Sequence, residues 1–506
     1  MSRRSLAIAL SLALALGVFL VRERQLAGGS GFPLDDAWIH FHFARNLAEG
    51  HGFVYNPGVH VSGSTAPLWT LLLGGTFALA GSEPLLAKAL GVAAALLTAL
   101  LAGVLAGRFT GHEGLGLLAG ALTALAGPLA WGALSGMEVS LAALLVTGGL
   151  LAHSMGRDGA AAALLALAVL ARPESVLLLP LVWVAGRLTP GRTMLFAVIA
   201  GLMLAPWVAF NLVTTGLPLP ATATAKIQGG LIGYLAGNRE PLAMALATRP
   251  SRFLVEWVRW LGSVNLLTPV LLLPGLWLLW QRGGRAAVLP AAVLVAHPVG
   301  MALLAPYRGP AFQEGRYSIH LLPLAIAVAV SALGLLRGRF FVQARAAVAI
   351  LLVGASLWTL WPAASRYGWA VQNINAMQVE IGRWVASHTP REARVALNDA
   401  GAIAFISRRE VVDVMGLVTP SIIPYRKAGE AGVLRYLGRA CPDFLVVFPA
   451  WFPRIAAMTA EFTPLHRVRL AHNTVAGADE MVVYETPWNR WGAAPRPCGT
   501  LAGQPA

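Results

Sequence analysis

Apolar runs of membrane-crossing length recur through this chain, and no soluble fold can absorb them. They lie near 6–22, 84–106, 115–133, 139–155, 159–171, 174–186, 193–212, 262–281, 286–305, 318–336 and 341–362. A helix needs about 20 apolar residues to cross roughly 30 Å of hydrocarbon. Backbone in lipid must also satisfy its own hydrogen bonds, which helices do within one segment. Of the 506 residues, 57% are hydrophobic and only 12% charged, about half the charged share that a soluble surface requires. The chain is therefore read as an α-helical polytopic membrane protein with about 11–12 membrane helices. Segment 67–81 is apolar but short. It is expected to be a partial or re-entrant helix, because a full crossing would reverse the side of every later loop.

Arg3, Arg4, Arg108, Arg157, Arg187, Arg192, Arg282, Arg285, Arg337 and Arg339 all fall in short breaks between apolar runs. Such arginines mark the cytoplasmic side. The net charge of +15 therefore reflects topology. It lacks the clustered stripe of a duplex binder, so no nucleic acid partner is expected; a weakly basic face near anionic lipid is the modest reading. Residues 1–22 resemble a signal peptide, but Val21-Arg22-Glu23-Arg24 interrupts the approach to any small-residue cleavage site. An uncleaved signal anchor with a cytoplasmic N-terminus is expected.

The opposite breaks then face outward from a cytoplasmic membrane. They contain Asp35, Asp36, Glu49, Glu138, Glu174 and Glu314. Juxtamembrane carboxylates are costly to place, which makes them functional candidates. For Glu138 and Glu174, simple retention of negative charge outside explains as much. For the adjacent pair Asp35 and Asp36, a function is the stronger reading.

From about residue 366 charged residues become frequent and apolar runs shorten to strand length: 394–398, 411–414, 444–448 and 481–484. Helical patterns at 377–387, 430–437 and 452–460 alternate with them, which predicts a small α/β domain. The expected organisation is a transmembrane unit over 1–365, an extracytoplasmic α/β domain over 366–490, and a disordered tail over 491–506. The transmembrane unit carries a first outer loop at 23–66 and a second at 213–261, where Trp257, Arg259 and Trp260 point to a helix lying in the interface. Cys441 and Cys498 sit in an oxidising compartment on this topology, which permits a disulfide.

The first outer loop holds the densest chemistry. From Asp36 to Glu49 the run is helical in pattern, and at about 100° per residue His42, Arg45, Asn46 and Glu49 share one side. Asp35 joins that side if the phase extends back. Asp36 and His40 fall on the neighbouring apolar edge. A helix cap would account for one aspartate, but not for two with histidines behind them. Adjacent carboxylates raise one another's pKa, which suits a general base. His40, His42 and His51 lack a metal-site spacing, so no metal or other cofactor is assigned and divalent-ion dependence is left open.

The pattern Asp35-Asp36-Ala37-Trp38-Ile39, then Phe43-Ala44-Arg45-Asn46-Leu47-Ala48, Gly52-Phe53-Val54-Tyr55-Asn56-Pro57-Gly58 and Gly63-Ser64-Thr65-Ala66-Pro67-Leu68-Trp69-Thr70 resembles the first outer loop of GT-C membrane glycosyltransferases, the mycobacterial terminal arabinofuranosyltransferase family in particular. Weaker matches follow in order at 135–138, 171–174, 219–220, 225–226, 314–317 and 398–401. Two departures stand out: Ala221 where the family has Asn after the proline, and Val61 to Thr65 in place of its Glu-x-x-Gly-Tyr-Thr. Both place the sugar's identity in question.

The resemblance implies transfer of a sugar from a polyprenyl-phosphate donor to a hydroxyl acceptor, a glycan, lipid or protein, outside the cytoplasmic membrane. It assigns catalysis to Asp36 and Asp35. Lys226, Arg316 and Arg172 are expected to hold the donor phosphate. His40, His42, Arg45, Asn46, Glu138, Glu174, Glu314 and Tyr317 are expected to bind substrate. A polytopic transporter is the alternative, and it predicts paired broken helices and internal symmetry, neither of which is visible. A structural protein using the first loop as a docking surface is the third reading.

Overall fold

The computed structural model describes residues 2–499 apart from 187, 228, 236, 238, 239, 284–286, 337 and 494. Of the topology-marking arginines, Arg187, Arg285 and Arg337 lie outside the described residues, as does the end of the 491–506 tail.

Five helices are long and apolar enough to cross a membrane: α1 (Arg3–Ala27), Leu85–Thr110, Pro190–Thr215, Phe312–Leu335 and Val342–His388. Two bent pairs raise that number to as many as seven, Glu113–Leu125 with Gly127–Leu134 at 55° and Met244–Val264 with Leu267–Gly283 at 109°. Shorter apolar helices are Val139–Ser154, Asp158–Ala171, Pro173–Ala185 and Val288–Leu304. Among the described residues the apolar runs form helix, with the 115–133 and 262–281 runs each broken by a bend. Segment 67–81 is helix α3 (Pro67–Ala80) of 14 residues, about 21 Å long at 1.5 Å per residue, too short to cross.

Small residues let these helices approach closely. A Cβ at Gly103 would meet the Gly116 carbonyl oxygen at 2.9 Å, and one at Gly116 would meet that of Gly103 at 2.6 Å. This is the close backbone packing that small residues allow in membranes. A buried ion pair adds a polar tie. Lys88 Nζ donates to Glu23 Oε1 at 2.7 Å, and Tyr367 donates to the same oxygen at 3.3 Å, linking α1, Leu85–Thr110 and the last long helix.

Helix Arg249–Val264 buries Phe253, Trp257, Trp260, Leu261 and Val264 along one face and leaves Arg252, Val255, Val258 and Arg259 exposed on the other. The two tryptophans expected in this loop are stacked, 5.3 Å between centroids, and packed inward.

The C-terminal sheet has strands β1 (Arg394–Leu397), β2 (Glu410–Asp413), β3 (Phe444–Val447), β4 (Thr463–Arg469) and β5 (Glu480–Glu485), in the order β2-β1-β3-β5-β4. The first three pair in parallel, with Val395 opposite both Val411 and Phe444; β5 is antiparallel to β3 and β4. Strand β4 escaped the sequence reading. It is an edge strand carrying His466, Arg467 and Arg469 and stays largely exposed, so it lacks an apolar run. Charge on an edge also blocks pairing with other chains. The composition change near 366 falls inside a continuous helix, because Val342–Ile374 runs on through residue 388. Cys441 and Cys498 are disulfide-bonded, with Cα atoms 5.7 Å apart.

Helix α2 (Asp36–Ala48) is clamped between the two units, and all ten residues from Ala37 to Asn46 are buried. Phe41 packs with the membrane helices, while Ile39, Phe43, Tyr55 and Val61 share a core with Ile403, Val418 and Val446 of the sheet domain. The first loop is the layer between them.

Candidate active site

Because α2 is buried on two sides, the adjacent aspartates point to different neighbours. Asp36 faces the membrane unit, where its Oδ2 accepts from Arg316 Nη1 at 2.9 Å and lies 3.6 Å from Lys226 Nζ. Burial pushes this carboxyl up, but Lys226 and Arg316 outweigh burial and hold it well below the usual carboxylate range.

Asp35 faces the sheet domain. It makes no capping bond to its own helix; its Oδ1 instead accepts from the Ala402 backbone N–H at 2.7 Å, at the start of helix Ala402–Ser407. Gly401 permits this approach, since a Cβ there would lie 2.2 Å from the Asp35 carbonyl oxygen. Burial and the nearby Asp399 carboxylate raise the Asp35 carboxyl well above its ordinary value. Burial likewise pushes Asp399 up to about 6, although Gln378 donates to it at 2.8 Å.

The cavity beside Asp36 has a volume of about 210 Å³, and five elements supply its polar wall. Helix α2 supplies Asp36 and His40, the 137–138 turn supplies Glu138, and the break at 172–174 supplies Arg172 and Glu174. Short helix Ala221–Lys226 supplies Lys226, and the segment 307–317 supplies Tyr307, Arg308, Arg316 and Tyr317. Most of its remaining wall is apolar, including Ile39, Leu177, Leu219 and Leu304.

Within it, Arg172 is paired with two carboxylates. Its Nη1 donates to Glu138 Oε1 and its Nε to Glu174 Oε1, both at 2.5 Å. Tyr317 lies between two guanidinium groups, 4.9 Å from Arg172 and 5.0 Å from Arg316, and its hydroxyl accepts from Arg316 Nη2 at 3.0 Å. His40 Nε2 sits 3.5 Å from Glu138 Oε2, an oxygen with no hydrogen-bond partner. Burial lowers the His40 pKa against the pull of Glu138. The cavity therefore lines up four cations, Arg172, Lys226, Arg308 and Arg316, against three carboxylates, Asp36, Glu138 and Glu174. Arg308 has no ion-pair partner among the described residues. The surplus is positive.

Four other residues expected to bind substrate lie outside this lining, as does Asp35. His42 stacks on Tyr55 and its Nε2 bonds the Tyr55 carbonyl oxygen at 2.9 Å; burial and Arg45 lower its pKa to about 3. Arg45 donates to the Phe405 carbonyl oxygen at 2.5 Å, and Asn46 to the Val54 and Tyr55 carbonyl oxygens at 2.9 and 2.7 Å. Their polar atoms fold the first loop and dock it to the sheet domain. Glu314 is paired with Arg366 at 2.6 Å, away from the cavity. Backbone carbonyls or a salt bridge already engage these four side chains, and none of the four lines the cavity.

The cavity also includes residues the sequence reading passed over: Thr65, Thr222, Tyr307 and Arg308. A signal existed for the last two, an aromatic–cation pair in the same break between apolar runs as Arg316. The two departures noted in the sequence meet in space, since the Ala221 N–H donates to the Ser62 carbonyl oxygen at 3.0 Å. A further support was invisible in sequence: His297 Nε2 lies 3.1 Å from the Glu174 carbonyl oxygen, with His320 3.2 Å behind it.

Residues 371–484 match a family model described as a domain of unknown function, DUF8728. The chain is 31% identical over 375 residues to the terminal beta-(1->2)-arabinofuranosyltransferase of Mycobacterium tuberculosis strain H37Rv, a match covering 65% of this chain and 58% of that protein. The chain thus spans less than two thirds of that relative's length. Among solved structures, ArnT from Cupriavidus metallidurans in the apo state superposes with a TM-score of 0.57 at 16% identity, covering 94% of this chain and 97% of ArnT. The same protein bound to undecaprenyl phosphate gives 0.57 at 15% identity with the same coverage. The archaeal oligosaccharyltransferase AglB from Archaeoglobus fulgidus, in complex with an inhibitory peptide and a dolichol-phosphate, gives 0.57 at 10% identity over 86% of this chain and 69% of AglB. The chain is a multi-pass membrane protein with the GT-C fold, similar in sequence to the mycobacterial terminal arabinofuranosyltransferase.

Proposed function

We propose that the protein transfers a sugar from a polyprenyl-phosphate-linked donor to a hydroxyl acceptor at the outer face of the cytoplasmic membrane, with the sheet domain extracytoplasmic. The observation that carries this reading is Asp36 set against Arg316 and Lys226 in a cavity that pairs a charged end with an apolar wall. The apolar wall suits an isoprenoid chain, and the cations suit its phosphate. ArnT with undecaprenyl phosphate and AglB with a dolichol-phosphate are architectural neighbours consistent with such a donor.

In the proposed step the acceptor oxygen attacks the anomeric carbon and the bond from that carbon to the phosphate oxygen breaks. The electron pair leaves with the phosphate, where Arg316, Lys226 and Arg308 stabilise it. The acceptor proton passes to Asp36. With its two cations in place Asp36 is a weak base. Donor phosphate arriving at Arg316 and Lys226 draws them away and adds negative charge, which raises the Asp36 pKa toward a useful value. The base is therefore switched on by the donor. Arg172 has its charge spent on Glu138 and Glu174; its proposed role moves from phosphate contact to holding those carboxylates, and Glu138 Oε2 is left to accept from a sugar hydroxyl.

The test is transfer rate and melting temperature for Asp36→Asn beside Asp35→Asn. Asp36→Asn should lose about 10²–10⁴-fold in rate with its melting temperature intact, whereas Asp35→Asn should retain most of the rate. Near-native turnover in Asp36→Asn would remove it as the base and leave Glu138 as the next candidate.

A further inference from the structure

Beside the cavity just described lies a second, more open one of about 680 Å³, lined by Arg249, Arg252, Glu256, Tyr307, Arg308 and Phe312 among others. The two share Tyr307 and Arg308 as a common wall. Arg249 is neutralised by Glu240 at 2.6 Å. The Glu256 carboxylate is committed to the loop it faces, accepting from the Ala311 backbone N–H at 2.9 Å. Arg252 and Arg308 have no carboxylate within ion-pair distance among the described residues; each lies over an aromatic ring, Arg252 at 5.6 Å from Phe253 and Arg308 at 4.9 Å from Phe312. Arg252 and Arg308 against the one carboxylate of Glu256 leave the cavity net positive, which favours an anion, and the planar fork of arginine suits phosphate.

The setting says which kind of phosphate. Arg252 lies on helix Arg249–Val264, whose inner face is buried and which turns by 109° into the apolar helix Leu267–Gly283. A helix bent this sharply from an apolar one, with arginines on its exposed face, suits a place along the membrane surface. Val255 and Val258 on its outer face are exposed, as are Leu242 and Leu246 just before it. Exposed apolar side chains beside unpaired arginines match the boundary between acyl chains and headgroups.

The geometry points to a second phosphate site, held by Arg252 and Arg308, that takes a lipid phosphate at the headgroup plane before or after it occupies the reaction cavity. Arg308, facing both cavities, is the residue through which the two exchange. In naming the donor lipid this inference rests on the proposed reaction.

The test uses the full chain in nanodiscs of zwitterionic lipid, with polyprenyl phosphate as the probe. Binding should saturate at two molecules per protein. Arg252→Ala should weaken one site by about tenfold or more, as loss of a charge-assisted bond implies, and leave the other unchanged; Arg252→Lys should restore part of the loss. Lys226→Ala should weaken the other site instead. Saturation at one molecule, or two sites both indifferent to Arg252→Ala in a protein of unchanged melting temperature, would overturn the inference. Competition by phosphatidylglycerol would extend the ligand to lipid phosphates generally, and its failure would narrow it to the polyprenyl monoester. Equal competition by inorganic phosphate would refute a lipid site. Two-site binding without any sugar transfer would leave this site standing while the proposed reaction fell.

Discussion

Asp35 and Asp36 are neighbours in sequence and strangers in space, and the difference lies in what each meets. The sequence reading singled out both, and it reached Lys226, Arg316 and Arg172 as cations for the same site. It could not assign their partners, because those lie far along the chain: Glu138 is 34 residues from Arg172, and Asp36 is 280 from Arg316. That difference separates the two arginines experimentally. Arg316→Ala should weaken donor binding by about 2–3 kcal/mol, the worth of a charge-assisted bond, with only partial rescue by Lys. Arg172→Ala leaves Glu138 and Glu174 buried without a counter-charge, so it should cost about 3–5 kcal/mol of stability. Donor affinity by titration and unfolding by denaturant, measured on both variants, distinguish the roles. A stable Arg172→Ala with weakened donor binding would return Arg172 to the phosphate.

At the scale of elements, the apolar spans were legible because lipid imposes length and composition on each of them separately. Strand β4 was not, because an edge strand owes its place to pairing with β5 and to nothing in its own pattern. The helical phase of α2 was legible. Its double burial was not, since the sheet-domain carbonyl that Arg45 reaches lies 360 residues downstream and the phase says nothing of what docks on it. The same contact brings Asp35 and Asp399 together, and it makes docking sensitive to pH. Both carboxyls are raised in the folded chain, so their protonated forms favour the fold. For Asp399 that contribution is complete below the unfolded value of about 3.9 and is lost as pH rises through about 6. Asp399→Asn should therefore raise the melting temperature at pH 7 and flatten its dependence between about pH 4 and 6. A wild-type slope retained in the variant would show that this pair does not govern docking.

For the whole molecule, the order of motifs along the chain anticipated an architecture that superposes on ArnT over 94% of its length. The proposed outward orientation of the site rests on arginine placement. Cysteine labelling from outside should modify Arg391→Cys in the exposed start of the sheet domain and spare Arg157→Cys in an exposed break between apolar helices. The reverse would turn the cavity toward the cytoplasm. The central claim is transfer from a lipid-phosphate donor through the Asp36 cavity. Its most direct test is a panel of polyprenyl-phosphate sugars offered to wild-type and Asp36→Asn protein in proteoliposomes, with hydroxyl acceptors from the cell envelope. The account predicts that at least one donor is consumed with release of one polyprenyl phosphate per sugar transferred, that nucleotide sugars are not used, and that Asp36→Asn abolishes most of the release. Use of a nucleotide sugar in place of every lipid-linked donor, or equal release by Asp36→Asn, would contradict it.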